Sequence, residues 1–299
     1  MILCIGEILA DMIGSCHNGA FCYERKAGGA PFNVACAIKK FGGKAAFVGN
    51  VGNDIIGRYL LRFAKERDLD KCLITVDEHH NTTLAFVELD ESGERSFCFY
   101  RKDTADFHIP DVPDELLQQA DIVCVGSLML SEDIGRKYAN RIIAKAKSIG
   151  KIIAFDINYR SDIFRDEKDA VERYKEIIKQ VDIVKFSEDE ADIFTEEYIS
   201  ELTDKLVCVS LGGEGSRWHY HGEVNIVPTI LVKTIDTTGA GDAFYAGVLT
   251  KLSSKPRNEW TTDFLNSALR FGNVCGALNT QGKGAIDCLP ELGEIESRL

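Results

Sequence analysis

Short apolar runs alternate with longer amphipathic segments along most of the chain. Runs that are apolar on both faces are typical of strands in a parallel sheet, and segments with helical periodicity are typical of the helices that cover it. The predicted strands are residues 2–6, 45–51, 121–126, 151–157, 182–186, 205–211 and 230–235. The predicted helices are residues 31–41, 54–68, 132–149, 168–180, 189–195, 240–252 and 261–279. The alternation predicts an α/β protein with a mostly parallel sheet and helices on both of its faces.

Two regions do not follow this alternation of strand and helix. Residues 83–89 and 95–100 have the pattern of two strands joined by a short loop, which predicts a hairpin. Residues 12–23 resemble another pair of short strands that turn at Asn18-Gly19. We expect a small β-sheet, with its strands within about 12–23 and 83–101, that stands off the main sheet as a lid. The alternative is an extension at the edge of the main sheet.

The composition is that of an ordinary globular protein and excludes several classes. The chain has 299 residues, of which 45% are hydrophobic and 27% charged, so it can bury a sizeable core. A formal net charge of −12 disfavours a general nucleic-acid binder. No apolar run approaches the length of a membrane span, and the first residues lack the pattern of a signal peptide. Without a linker or repeat, residues 1–299 are expected to form a single domain with no nucleic-acid or membrane partner.

The ten cysteines are expected to be reduced thiols and not a disulfide framework. They are sparse for a disulfide-rich scaffold, and no CxxC pair occurs. Cys4, Cys124 and Cys208 lie inside apolar runs, where cysteine acts as a small hydrophobic residue. This usage indicates a reducing, cytoplasmic location.

Two adjacent histidines, His79 and His80, precede the predicted hairpin. The sequence near them has no further residues at the spacing of a metal site. We therefore interpret this pair as part of an exposed loop.

The most informative segment, residues 236–244, reads Asp-Thr-Thr-Gly-Ala-Gly-Asp-Ala-Phe and opens the predicted helix 240–252. Small residues at a helix start let a ligand approach the exposed backbone N–H groups, which form an anion site. Asp242 would repel a phosphate there, so it is better suited to accept a proton from a hydroxyl that attacks phosphorus. The alternative is that Asp242 only complements the helix dipole. The chain has no P-loop and no protein-kinase motif set.

A second glycine-rich turn, Gly28-Gly29-Ala-Pro-x-Asn33, precedes the helix predicted at 31–41. Proline suits the first turn of a helix, and Asn33 can both donate and accept hydrogen bonds near the helix start. Asp11 follows the first strand and falls at the carboxyl edge of the sheet, where ligands bind in open α/β folds. The alternative is a tight turn and an ordinary helix start.

Together these two glycine-rich segments resemble the two signatures of the ribokinase-like (PfkB) carbohydrate kinases, and the likeness covers the whole chain. Within the family, residues 83–88, 94–101 and 156–160 are most similar to bacterial fructokinases. The resemblance implies a three-layer ribokinase-like fold and ATP-dependent phosphorylation of the primary hydroxyl of fructose to give fructose 6-phosphate. The alternatives are a kinase for 2-keto-3-deoxygluconate or another sugar, a sugar-binding protein without catalysis, and a dinucleotide-dependent oxidoreductase.

The resemblance also implies a role for individual residues. The expected catalytic residues are Asp242 as the base and Gly239, Ala240 and Gly241 as the backbone anion hole. The residues expected to bind the sugar are Asp11, Gly28, Gly29, Asn33, Arg101, Asn158 and Arg160. The residues expected near ATP are Lys185, Ser187, Glu190, Ser210, Gly212, Gly215, Asn273 and Ala277.

Two cations and a dimer are implied in the same way. Glu190 is expected to organise Mg²⁺ through water, although Ser187 stands where the family's Asn-x-x-Glu motif has asparagine, which leaves the role of Ser187 open. Backbone carbonyls near Asp236, Thr238 and Gly284 are expected to hold a monovalent cation such as K⁺. The resemblance further implies a homodimer formed through the lid.

Overall fold

A computed structural model of the chain describes residues 1–17, 20–89, 95–164 and 166–299. The strands are β1 (Ile2–Ile5), β2 (Leu9–His17), β3 (Ala20–Gly28), β4 (Ala45–Gly52), β5 (Lys71–Asp77), β6 (Leu84–Leu89), β7 (Arg95–Tyr100), β8 (Ile122–Val125), β9 (Ile152–Asp156), β10 (Ile183–Ser187), β11 (Leu206–Ser210), β12 (Ser216–Tyr220) and β13 (Glu223–Val227). The helices are α1 (Ala30–Lys40), α2 (Ile55–Lys65), α3 (Asp114–Gln119), α4 (Asp133–Ser148), α5 (Glu167–Ile178), α6 (Glu188–Phe194), α7 (Glu196–Glu201), α8 (Ala240–Leu252), α9 (Thr262–Asn279) and α10 (Leu292–Glu296).

In the described part of the chain, nine strands form one large sheet in the order β13-β12-β11-β10-β9-β8-β1-β4-β5. All neighbouring strands from β11 to β5 are parallel, and only β12 and β13 run antiparallel at one edge. Helices cover both faces of this sheet, so the prediction of a mostly parallel α/β sheet is confirmed.

The two hydrophobic cores lie on opposite faces of the large sheet, as the central strand β1 shows. Ile2 and Cys4 belong to the core shared with α1, α8 and α9, whereas Leu3 and Ile5 belong to the core shared with α4 and α5. Successive side chains of a strand point to opposite faces. A central parallel strand therefore buries every residue, which explains the uninterrupted apolar run at the start of the sequence.

A second sheet of four described strands has the order β3-β2-β6-β7 and is separate from the large sheet. Strands β2 and β6 pair in parallel, while β3 and β7 pair antiparallel at the two edges. The predicted small sheet is therefore confirmed, and an extension of the main sheet is not what these residues form. The predicted turn at Asn18-Gly19 and the hairpin loop at 90–94 lie outside the described residues.

Two strand predictions differ from the structure. Residues 230–235 form no strand; Ile230, Leu231 and Val232 line a cavity, and that use accounts for their apolar character. In contrast, β5 was not predicted, because this edge strand is only half-buried and its pattern lacks a continuous apolar run. None of the described helices has both the length and the apolar surface needed to cross a membrane.

Candidate active site

Two cavities open at the carboxyl edge of the large sheet and meet at the start of α8. One has a volume of about 300 Å³ and mostly apolar walls, and the other has a volume of about 550 Å³ and a wall rich in carboxylates and amides. We call them the apolar cavity and the polar cavity. Both are lined by Ser210, Gly212, Thr237 and Gly241. Their position agrees with the general rule for ligand sites in open parallel sheets.

Helix α8 begins without a side-chain cap, so the positive end of its dipole is not covered by a capping side chain, although the N–H group of Ala240 donates to the carbonyl oxygen of Thr237 at 3.2 Å. Gly239 occupies the cap position with φ of 74°, a left-handed conformation that favours glycine. A Cβ atom on Gly241 would lie 3.3 Å from the Nζ atom of Lys185, so that ammonium group lies directly beneath the helix start. Gly239, Ala240 and Gly241, the residues predicted to form a backbone anion hole, thus lie at the start of α8 with the ammonium group of Lys185 beside them.

Asp242 is the first acidic residue of α8, and its side chain lines the polar cavity. The Nδ2 atom of Asn33 on α1 donates a hydrogen bond of 2.8 Å to the Oδ2 atom of Asp242. The two glycine-rich segments of the sequence therefore meet in space. Burial raises the pKa of Asp242 above its ordinary value, although the hydrogen bond from Asn33 and the charge of Lys185 act in the opposite direction. A carboxylate with a raised pKa is suited to accept a proton near neutral pH.

The polar cavity collects most of the residues predicted to bind a sugar. The predicted residues that line it are Asp11, Gly29, Asn33, Asn158 and Arg160. Gly28 leaves room for the carboxylate of Asp11, because a Cβ atom on residue 28 would lie 2.2 Å from the Oδ2 atom of Asp11. Burial raises the pKa of Asp11 to about 7, with the nearby charge of Asp242 acting in the same direction and that of Arg160 opposing it.

Arg101 was predicted to bind substrate, and the structure places it elsewhere. Its Nε atom donates a hydrogen bond of 2.7 Å to Asp106, and its NH1 atom donates to the carbonyl oxygen of Leu128 at 2.9 Å. The side chains of Arg101 and Asp106 are only 2% and 1% exposed, and the guanidinium group stacks over Phe107. All three contacts hold the loop after β7, so Arg101 and Asp106 form a buried ion pair that stabilises this loop. Arg101 is absent from the described lining of the polar cavity, and its binding of substrate stays a prediction.

A buried ion pair beneath the anion site was not assigned from the sequence. The Nζ atom of Lys185 on β10 lies 3.0 and 3.2 Å from the two carboxylate oxygens of Asp156 on β9. Burial by itself lowers the pKa of Lys185, but the facing carboxylate of Asp156 outweighs it and leaves the pKa raised. The ammonium group therefore stays charged where it faces the helix start.

Ser187 and Glu190 form a capping box at the start of α6. The N–H group of Ser187 donates to the Oε2 atom of Glu190 at 2.7 Å, and the N–H group of Glu190 donates to the Oγ atom of Ser187 at 3.3 Å. The second carboxylate oxygen of Glu190 accepts from the N–H group of Tyr159 at 2.7 Å. The Ser-x-x-Glu spacing is accounted for by this helix cap. Both residues also line the polar cavity, beside Glu188 and Asp189.

The apolar cavity is lined by the other residues predicted near ATP. Gly215, Asn273 and Ala277 lie in its wall, together with the apolar residues of 230–232 and Phe244. The Nδ2 atom of Asn273 donates to the carbonyl oxygen of Val227 at 2.8 Å, so this side chain fixes the segment that follows β13. The apolar wall was not predicted, because its run of Ile, Leu and Val has the pattern of a strand.

Asp236, Thr238 and Gly284, predicted to lie near a monovalent cation, are brought together by hydrogen bonds. The carboxylate of Asp236 accepts from the N–H group of Thr238 at 2.9 Å and from that of Gly284 at 3.0 Å. The Nδ2 atom of Asn279 donates to the carbonyl oxygen of Thr238, and the Sγ atom of Cys288 donates to that of Gly284.

Glu7 is a residue of the polar cavity whose importance the sequence did not reveal. Its side chain is 1% exposed, and among the described residues neither carboxylate oxygen has a hydrogen-bond partner on another residue. Burial raises the pKa of Glu7 to about 7, although the charge of Arg101 lowers it. The sequence signal was a glutamate directly after a fully apolar strand, where a charged residue is costly to bury.

Known carbohydrate kinases are similar to this chain over nearly its full length. Residues 1–292 match the family described as pfkB family carbohydrate kinase. The alignment with Fructokinase-1 of Zea mays extends over 310 residues with 34% identity, and it covers 99% of this chain and 96% of that protein.

Solved structures are also similar over the full length. Fructokinase with bound ATP from Xylella fastidiosa has a TM-score of 0.91 and 30% identity, covering 99% of this chain and 97% of that chain. Fructokinase from Vibrio cholerae O395 in a form with fructose, ADP and calcium ion bound has a TM-score of 0.88 and 32% identity, covering 100% and 98% of the two chains. The fold predicted from the sequence is therefore confirmed.

Proposed function

Because the chain belongs to the pfkB family of carbohydrate kinases, we propose that it transfers the γ-phosphoryl group of ATP to the primary hydroxyl of fructose, giving fructose 6-phosphate. The observation that carries this proposal is the meeting of the apolar and polar cavities at the first turn of α8. An adenine ring suits the apolar cavity and a sugar suits the polar one. The phosphates then cross the glycines at the helix start. Fructokinase relatives with fructose, ATP or ADP bound support the same assignment.

Asp242 is the general base of the proposed reaction. The sugar hydroxyl gives its proton to the carboxylate while its oxygen forms a bond to the γ-phosphorus. The bond from that phosphorus to the bridging oxygen breaks, and ADP leaves with the electron pair. A positioned base contributes roughly 10²–10⁴-fold to the rate. Asn33 keeps the base in place through its hydrogen bond of 2.8 Å.

The first N–H groups of α8 and the ammonium group of Lys185 stabilise the charge on the transferred group. A helix start offers N–H donors and the positive end of the helix dipole to an anion. Phosphoryl transfer depends on such alignment and charge stabilisation more than on covalent chemistry. Asp156 keeps Lys185 charged and directs it to this point.

The residues present fit a magnesium ion, which prefers oxygen ligands and retains several waters. Glu188, Asp189 and Glu190 line the polar cavity, and Glu190 would hold Mg²⁺ through water. When bound, the ion neutralises charge on the ATP phosphates. The carbonyl oxygens near Asp236, Thr238 and Gly284 would hold K⁺, which we propose as a second cation.

A neutral sugar fits the polar cavity better than a sugar acid. Asp11, Asn158 and Arg160 offer donors and acceptors for hydroxyl groups. With Arg101 held by Asp106, the guanidinium group of Arg160 is the one that the described cavity wall offers. A carboxylate substrate would have to rely on it, since Lys185 already faces Asp156.

We further propose that the small sheet acts as a lid and pairs with that of a second copy of the chain. Asp11 on β2 and Phe99 on β7 line the polar cavity, so closure of the sheet would cover the sugar. Phe21 and Tyr100 are 57% and 63% exposed, which offers an aromatic surface to a partner. Replacing both with serine should shift the protein toward monomer in gel filtration. The free cysteines support a cytoplasmic location.

The proposed function is tested by the kcat/KM values for fructose, ribose, 2-keto-3-deoxygluconate, fructose 6-phosphate and adenosine with Mg-ATP. We expect ATP-dependent product with fructose as the preferred acceptor. A preference of more than about tenfold for the sugar acid, about 1.4 kcal/mol in transition-state binding, would replace fructose by 2-keto-3-deoxygluconate. Absence of ATP-dependent product with every acceptor would favour a sugar-binding protein instead.

A further inference from the structure

Three side chains outside the two active-site cavities converge near the base of the small sheet. They are His80, in the segment that leads from β5 to β6, and Asp103 and His108, in the segment that follows β7. One ligand atom from each lies within 4.8 Å of the other two. The Nε2 atoms of His108 and His80 lie 3.1 and 3.7 Å from the Oδ1 atom of Asp103. None of the three lines the apolar or the polar cavity as described.

A second carboxylate orients His80 from behind. The Oδ2 atom of Asp77 lies 3.0 Å from the Nδ1 atom of His80. Its Oδ1 atom accepts hydrogen bonds from the backbone N–H groups of His79 and His80 at 2.8 and 3.0 Å. These contacts hold the ring of His80 in one orientation, with its Nε2 atom toward Asp103.

We propose that His80, Asp103 and His108 form a binding site for a divalent transition metal of the Zn²⁺ class, with Asp77 as the residue that positions His80. Two imidazole nitrogens and one carboxylate oxygen are a donor set that Zn²⁺ accepts, with a fourth position left for water. Mg²⁺ and Ca²⁺ prefer oxygen ligands alone, so this site differs in kind from the magnesium site of the proposed kinase. A carboxylate behind a metal-binding histidine is a usual feature of such sites.

Binding requires a small rearrangement. The rings of His80 and His108 stack at 3.7 Å with 16° between their planes. A metal in the plane of one ring lies outside the plane of the other, so one ring must turn about its Cβ–Cγ bond. His108 is the ring that turns, because Asp77 holds His80. The backbone of His108 is anchored meanwhile by the Nδ2 atom of Asn50, which donates to its carbonyl oxygen at 2.9 Å.

The site would tie together two of the segments that connect the small sheet to the large one, those between β5 and β6 and after β7. These segments already share a hydrogen bond of 2.9 Å from the N–H group of Ala105 to the carbonyl oxygen of Asn81. Thr83 and Thr104 share a second one of 2.7 Å between their hydroxyl groups. A bound metal adds a cross-link at the exposed end of this connection. Amide hydrogen exchange in residues 101–108 should therefore slow when metal is present.

The test is titration of chelator-treated protein with Zn²⁺ in the presence of excess Mg²⁺, which fills oxygen-only sites. We expect one Zn²⁺ per chain, lost in His108→Gln and in Asp103→Asn and retained in His79→Gln, whose adjacent, exposed histidine is the matched control. Asp77→Asn should weaken the affinity by roughly 10–100-fold. Asp103 is 75% exposed, so its variant keeps the test valid even where the histidine variant fails to fold.

The absorption spectrum of the Co²⁺-substituted protein separates this site from the cysteines. We expect the d–d bands of a nitrogen and oxygen site without the near-ultraviolet charge-transfer band of a thiolate. A full equivalent of Zn²⁺ in Asp103→Asn, equal loss in His79→Gln, a thiolate band or no zinc binding at all would each overturn the proposal. None of these outcomes depends on kinase activity, so the site and the proposed function are tested separately.

Discussion

The apolar and polar cavities share the start of α8 but would hold their ligands by different physics. The apolar cavity is walled by small and aliphatic residues such as Ala277 and Ile230, which recognise a flat ring by shape and removal from water. Half-buried carboxylates such as Asp11 and Asp242 line the polar cavity, and their partial removal from water raises the pKa of both. Because it is costly to remove a carboxylate from water, a carboxylate with a raised pKa in a cavity is a candidate for chemistry.

In the proposed reaction, this difference places the proposed base on one side only. No proton transfer is required in the cavity that would hold adenine, and its described lining contains no carboxylate. The sugar must lose a proton, and Asp242 lies on that side of Gly241. Substitutions in the two cavities should therefore have separable effects.

The largest effect is expected for Asp242→Asn, which keeps the shape of the polar cavity and removes its base. We expect kcat to fall by roughly 10²–10⁴-fold, because the hydroxyl keeps its proton. Binding of fructose and of ATP, measured by calorimetry, should change little. A variant that keeps more than about a tenth of the wild-type kcat would refute the role of Asp242.

Gly241→Val tests the point where the two cavities meet. Its side chain would enter the space above Lys185, where a Cβ atom alone lies 3.3 Å from the Nζ atom. We expect turnover to fall by about 10²-fold through misplacement of the phosphates. Gly293→Val is the control, since a Cβ atom there meets nothing within 4 Å. Wild-type turnover in a stably folded Gly241→Val protein would contradict the anion-site assignment.

Variants of two arginines test which of them belongs to the polar cavity. Arg101→Met breaks a buried pair with Asp106 and should lower the free energy of unfolding by about 3–5 kcal/mol. Arg160→Met should raise the KM for fructose while its unfolding free energy stays within about 1 kcal/mol of wild type. Urea denaturation and steady-state kinetics of both variants check this. The reverse pattern would restore Arg101 as a substrate ligand.

Ala277→Phe and Asp11→Asn form a pair that separates the two cavities directly. Phenylalanine at 277 fills part of a cavity of about 300 Å³, so the KM for ATP should rise by about tenfold, equivalent to 1.4 kcal/mol. The KM for fructose should stay near wild type. Asp11→Asn should give the opposite result. Equal effects of one variant on both KM values would show that the cavities are not independent.

A further effect concerns stability and not turnover, and it involves pH and Glu7, the buried carboxyl group at the edge of the polar cavity. Its folded-state pKa of about 7 lies above the ordinary 4.5, so folding takes up a proton between these values. The stability that this protonation supports is present below about pH 4.5 and is lost as the pH rises through 7. We expect Glu7→Gln to reduce the loss of unfolding free energy between pH 5 and pH 8 by on the order of 2 kcal/mol.

Urea denaturation at the two pH values measures this loss, with the exposed Glu296→Gln as the control. If Glu7→Gln shows the same pH dependence as wild type, Glu7 is not the group that titrates.

The sequence predicted the regular parts of the fold because their patterns follow from local physics. Helix α8 was predicted with its observed bounds, since an apolar segment directly follows a glycine-rich start. Asp54 lies at the predicted start of α2, and its carboxylate caps the helix by accepting a hydrogen bond of 2.7 Å from the N–H group of Gly57. Such features depend only on neighbouring residues.

What the sequence could not predict depends on distant contacts. Arg101 pairs with a carboxylate five residues away, but its burial depends on Leu128 and Ser131, which come from another part of the chain. Strands β6 and β7 separate His80 from His108 in the sequence, so no local spacing reveals that their rings stack. The segment 230–235 has the composition of a strand, and only its place beside α9 shows that it walls a cavity.

The account as a whole is tested most directly by a crystal structure with fructose and a non-hydrolysable ATP analogue bound together. We predict the adenine ring in the apolar cavity against Ala277, the phosphates over the N–H groups of Ala240 and Gly241, and fructose in the polar cavity. The primary hydroxyl of fructose should lie within roughly 2.6–3.2 Å of the carboxylate of Asp242. Fructose bound outside the polar cavity, or with its primary hydroxyl turned away from Asp242, would contradict the account.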